Sequence, residues 1–202
     1  MNRNDFFALV SDRPAVEMEQ IRWAYWLAKN AHRPFYRDGG GRFFEHPRAV
    51  AVSLIEHGYS ETSVIVKGLL HDVIEDTNTP HGMMVALFGT EMLRSLKVLS
   101  RYVSSFDATG QLVRPQPKKS SETYFGDLLV ALDEDKIVKC ADRLHNLKTC
   151  GVWEIPRQER YVEETERYVL RVAMTLPGSY ALELEVAVAE VRVRVAANKA
   201  AV

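Results

Sequence analysis

The string His71-Asp72-Val73-Ile74-Glu75-Asp76-Thr77 follows an apolar run, Val64-Ile65-Val66 and Leu69-Leu70, whose length and composition suit a largely buried helix. If that helix runs on through the string, with His71 at zero, Asp72 falls at about 100°, Glu75 at about 40° and Asp76 at about 140°. One imidazole and three carboxylates then share one side. Burying three neighbouring carboxylates without a cation is costly, and a bound divalent metal resolves the conflict. A solvated acidic helix face gives the same string, but it does not explain the apolar residues just before it.

Outward from this string, nearly every segment carries helical spacing. Ile21, Tyr25, Ala28 and His32 mark one face of a helix over 16–32, which the loop Asp38-Gly39-Gly40-Gly41 follows. Pro47 suits a first helical turn and Gly58 a C-terminal cap, so 47–57 is the next helix. Ser60 caps a third that reaches about Asp76, and Pro80 interrupts the path. Further helices are expected over 82–88, 90–103, 121–132, 135–149, 156–175 and 179–198. Valine alternates over 186–195, but the alanine and glutamate around it favour helix. Residues 104–120 (SSFDATGQLVRPQPKKS) are rich in turn formers and read as a mobile surface loop, either a lid or an insertion without a role. The expected fold is an all-α helical bundle in a single domain.

Composition bounds the function. Of the 202 residues 47% are hydrophobic and 26% charged, as in ordinary globular domains. Lys+Arg 26 against Asp+Glu 27 gives a net charge of -1, which argues against a nucleic-acid partner and leaves small anions held by a local basic pocket. No apolar stretch is long enough to span a membrane, and 1–10 has no secretory pattern. Two cysteines, Cys140 and Cys150, without CxxC spacing fit a reduced cytoplasmic location.

A second constellation lies in Lys139-Cys140-Ala141-Asp142-Arg143-Leu144-His145-Asn146-Leu147-Lys148-Thr149. On a helix Asp142, Asn146 and Thr149 form a narrow polar stripe, which suits a ligand plus two nucleotide contacts or an ordinary helix surface. With His46, which precedes Pro47, the residues His46, His71, Asp72 and Asp142 supply two imidazoles and two carboxylates. That mixed set suits manganese, iron, zinc or cobalt better than calcium.

The order H…HD…D resembles the HD-domain metal-dependent phosphohydrolases. Three strings, AHRPFYRDGGGRFFEHP (31–47), HDVIEDT (71–77) and KCADRLHNLKT (139–149), resemble the hydrolase domain of RelA/SpoT homologues, which degrade the alarmone (p)ppGpp. The likeness extends over about 21–173. It implies an HD-domain helical bundle, with a hydrolase domain over 1–178 and a C-terminal segment over 179–202 for helix packing or self-association, possibilities that include a homo-oligomer. It implies one divalent metal, usually Mn2+, on His46, His71, Asp72 and Asp142, and a water-activating pair in Glu75 and Asp76. Arg37 is implied to pack near the base and Asn146 and Thr149 to contact the nucleoside. Positive charge for the diphosphate is expected from Arg37, Lys139, Arg143 and Lys148. The family commonly has a basic residue after the position of Arg37, where this chain has Asp38, so an adenine-containing alarmone stays open beside (p)ppGpp. Other phosphorylated nucleotides, including NADPH or a nucleoside monophosphate, and a non-catalytic nucleotide-binding scaffold are the rivals. The length of 202 residues suits a small stand-alone hydrolase without a synthetase.

Overall fold

Apart from two isolated backbone bridges, Tyr36 to Arg42 and Tyr102 to Lys118, the regular structure among the described residues is helical throughout. The computed structural model describes residues 2–103, 105, 113 and 115–200. A short helix α1 (Arg3–Ala8) opens on Asn2, whose side chain accepts from the Asp5 amide while the Asp5 carboxylate accepts from the Asn2 amide. Six residues are too few to show an apolar period, so the sequence does not announce this helix. It is held by Phe6, which is buried against Tyr25 of α2 (Ala15–Ala31).

Helix α3 (Glu45–Glu56) closes with Gly58 at a φ of 84°, a backbone region that costs glycine nothing. The expected third helix divides. Helix α4 (Thr62–Leu70) stops before His71, Asp72 sits at φ -95° and ψ -8°, and a single turn, α5 (Val73–Asp76), follows. Nδ1 of His71 donates to the Gly68 carbonyl at 2.8 Å, occupying an acceptor near the end of α4. The two expected helices over 82–88 and 90–103 form one element, α6 (His81–Leu99), broken at Gly89 (φ 84°, ψ 169°), and its second half ends four residues early where Ser100 turns extended.

Helices α7 (Ser121–Leu129) and α8 (Asp133–Thr149) come next, α7 capped by the Ser120 hydroxyl. A short 3-10 turn leads to α9 (Ile155–Glu164), which passes through one wide π turn, Thr165–Val169, into α10 (Leu170–Ala173). Helix α11 (Tyr180–Ala200) returns across α8 and α9, so the C-terminal segment packs on the rest of the bundle. Of the expected loop over 104–120, residues 104, 106–112 and 114 lie outside the described residues.

Helix α8 runs through the middle, against α3, α4 and α11. It begins with three acidic residues, favourable beside the positive end of a helix dipole. One of them, Asp135, is buried and accepts from the buried Lys67 ammonium of α4 at 2.8 Å. Cys140, Ala141, Leu144 and Leu147 bury one side of α8 in the core, which fixes its rotation and aims Asp142 at α3 and α4.

Candidate metal centre and active site

Three elements deliver the four expected ligand residues to one point. His46 comes from the first turn of α3, His71 and Asp72 from the break after α4, and Asp142 from the middle of α8. The Nε2 atoms of His46 and His71 lie 3.3 Å apart, with Asp142 Oδ1 3.1 Å from the first and 3.7 Å from the second. Asp72 Oδ2 is 3.5 Å from His46 Nε2 and 3.1 Å from His71 Nε2. One ligand atom each from His46, His71 and Asp142 falls within 4.8 Å of the others, a group able to hold a metal ion. Two imidazole nitrogens and two carboxylate oxygens turned on one point form a donor set that fits a divalent transition cation.

The electrostatics agree. Burial lowers His46 below its ordinary value of 6.5. Burial acts on His71 in the same direction, but the Asp72 and Asp142 carboxylates outweigh it and raise that ring. Burial alone would push Asp72 up, yet His71 beside it holds the carboxylate down, at about 2. Asp142, likewise buried, is driven well below the usual range by Lys139 and the two histidines. A cation held here would meet two carboxylates that favour the ionised form and would compete with a proton for the His71 ring.

Side chains outside the ligand set brace Asp142 and His46. Asp142 accepts from Lys139 Nζ on Oδ2 at 2.8 Å and from Asn146 Nδ2 on Oδ1 at 2.6 Å. Asn146 Oδ1 accepts in turn from Arg37 at 2.8 Å, and Arg37 also lies 3.4 Å from the Thr149 hydroxyl. His46 Nδ1 meets Nδ1 of His145 at 2.9 Å. His145 is pushed down to about 4 by burial and by the nearby His46 and Arg37. His145 lies one turn after Asp142 on α8, and nothing in the residue pattern marks it out.

His46, Asp72, Asp142, Lys139, Asn146 and Arg37 line a cavity of about 670 Å³ that also takes in Glu75, Asp76, Arg101, Lys118, Arg157 and Tyr161. Glu75 accepts from the Arg101 amide at 2.7 Å, and burial followed by the Asp72 charge raises its carboxyl above the ordinary 4.5. Lys139 and Arg143 reach the cavity wall already engaged. Arg143 is fully buried, pairs with Glu164 at 2.6 Å and lies 3.9 Å over the Tyr161 ring. Thr149 faces an adjoining groove of about 390 Å³ with Arg37 and His145. Lys148 lies outside the cavity, 3.9 Å from Glu183. Asp38 pairs with Arg157 at 2.8 Å, and Arg157 lies 4.1 Å over the Trp153 ring. Among the described residues no helix is long and apolar enough to cross a membrane.

Residues 24–168 match the family model described as HD domain. The chain is 32% identical over 155 residues to the bifunctional (p)ppGpp synthase/hydrolase SpoT of Escherichia coli K12, covering 75% of this chain and 21% of that protein. It is 33% identical over 156 residues to the GTP pyrophosphokinase rsh of Brucella melitensis, covering 76% of this chain and 20% of that one. The chain thus spans about a fifth of the length of these curated relatives. A solved structure titled as a metazoan ortholog of SpoT that hydrolyzes ppGpp superposes with a TM-score of 0.69 at 21% identity, over 88% of this chain and 96% of that one. That likeness concerns the fold. By its matched residues and its helical architecture, this chain belongs to the HD-domain family.

Proposed function

We propose that the chain hydrolyses the 3′-pyrophosphate of (p)ppGpp, giving GDP or GTP and pyrophosphate, with Mn2+ as its metal. The observation that carries this is the meeting of His46, His71, Asp72 and Asp142, three of which, His46, Asp72 and Asp142, line one cavity with Glu75, Asp76, Arg37 and Asn146. The names of the curated relatives, which include guanosine-3′,5′-bis(diphosphate) 3′-pyrophosphohydrolase, support the choice of substrate.

A divalent cation bound to the four ligands supplies Lewis acidity to the phosphoryl group and to the attacking water. Glu75 and Asp76 orient that water, and the raised Glu75 carboxyl takes its proton as the new P–O bond forms. The bond from the 3′ oxygen to phosphorus breaks, the 3′ oxygen takes up a proton from solvent water while Glu75 returns its own to solvent, and a 3′ hydroxyl and free pyrophosphate are left. Arg37, held by Asn146 and Thr149, presents a planar cation to a purine face. Lys139 and Arg143 act as fixed positive charges in the wall. Their donors are engaged with Asp142 and Glu164, so they offset charge more than they grip phosphate.

Purified protein with Mn2+ and ppGpp is expected to release pyrophosphate, and Asp72→Ala to abolish release. No release by the wild-type chain, or undiminished release by Asp72→Ala, refutes the proposal. A parallel panel of adenine alarmones, NADPH and nucleoside monophosphates separates the rival substrates.

A further inference from the structure

Both histidines of the centre turn Nε2 toward the carboxylates, so a cation must be met by the Nε2 lone pairs while each Nδ1 carries the proton. A proton on a buried Nδ1 needs an acceptor. For His71 the backbone supplies it, since Nδ1 lies 2.8 Å from the Gly68 carbonyl. For His46 the partner is a side chain, His145, Nδ1 to Nδ1 at 2.9 Å, with the rings tilted 45° and their centroids 4.8 Å apart. His145 sits on α8 three residues beyond Asp142, so the helix that brings one ligand also brings the support for another.

We propose that His145 is a positioning residue of the metal centre: it accepts the Nδ1 proton of His46, fixes that ring's tautomer and aims its Nε2 lone pair at the cation. This rests on the metal-hydrolase reading above. Acceptors behind a ligating histidine typically carry 10- to 100-fold in metal affinity, about 1.4–2.8 kcal/mol. The role requires an acceptor atom and not an imidazole as such. Glutamine at 145 can offer Oε1 to His46, whereas leucine fills similar space and offers nothing.

The test uses the full chain and Mn2+ alone, with Kd measured by competition against a chelating dye and thermal unfolding recorded without metal. His145→Leu is expected to weaken Mn2+ about 10- to 100-fold with its metal-free Tm near wild type, and His145→Gln to recover most of the affinity. Pyrophosphate release by His145→Leu should return as Mn2+ is raised to saturation. His145→Met serves in the same way if the leucine variant does not fold. Wild-type affinity in His145→Leu overturns the proposal, and so does equal loss in the leucine and glutamine variants. Tight Mn2+ binding by wild type without pyrophosphate release refutes the proposed substrate and leaves the His145 comparison readable. No Mn2+ binding by wild type refutes the metal reading and the role of His145 with it.

Discussion

Arg143→Met is expected to unfold the wall of the cavity rather than to weaken substrate binding selectively. Methionine keeps much of the volume of the stem but none of the polar contacts. The guanidinium lies 3.9 Å from the Tyr161 ring centroid, and losing that desolvated cation–π contact costs about 2 kcal/mol. The hydrogen bond to the Thr165 hydroxyl at 3.3 Å adds about 1 kcal/mol. Stripping a partner from a buried ion pair costs about 3–5 kcal/mol, but Glu164 keeps Arg101 at 2.6 Å, so the full penalty does not fall. The total is about 3 kcal/mol, or a Tm lower by about 6–12 °C for a chain of this size. Thermal unfolding of the purified variant reads the first effect, and KM for ppGpp well below the transition reads the second, expected to change by less than about threefold. A Tm within about 2 °C of wild type together with a KM raised tenfold or more would show that Arg143 grips substrate and refute the reasoning.

Mn2+ at a hundred times its Kd should stabilise the chain by about 2.7 kcal/mol, a Tm gain of about 5–11 °C, and Asp142→Asn should lose that gain; an equal gain in the variant contradicts the ligand assignment. Because the carboxylates raise His71 well above the ordinary 6.5 and the metal must displace its proton, apparent Mn2+ affinity should still be rising with pH above 6.5, and a flat profile contradicts it. The acid limb of activity should follow Glu75, since the ionised form is the base, and Glu75→Gln should remove that limb along with most of the rate. Asp38→Lys frees Arg157 and adds charge at the cavity mouth, so KM for ppGpp should fall about two- to fivefold at low salt and less at high salt, a change read from initial rates.

Much of the fold was legible because helical period and a few glycines carry it: Gly58 and Gly89 stand where the chain takes a positive φ, the first just past the end of α3 and the second at the break within α6. The ligand-type residues were legible too, as His46, His71, Asp72 and Asp142 are chemically distinct from the apolar runs around them. The break at His71 was not. Helix angles assume an unbroken helix, and here a ligand side chain occupies the carbonyl of Gly68 near the helix end. Nor could angles tell that Arg143 turns to Glu164 and Lys148 toward Glu183, because long cations choose their partners in three dimensions. Nothing in the sequence marks His145, since it meets His46 from 99 residues away.

Helix α8 interleaves core and site along one cylinder: Cys140, Ala141, Leu144 and Leu147 are buried, while Lys139, Asp142, His145 and Asn146 serve the centre. Inserting or deleting a single residue within it would turn everything beyond by about 100°, moving leucines into the cavity and site residues into the core at once. For anyone grafting or redesigning this centre, α8 is therefore a part with a fixed length. It can be transplanted whole or altered by substitution, but it cannot be lengthened or trimmed without giving up both the catalyst and the bundle.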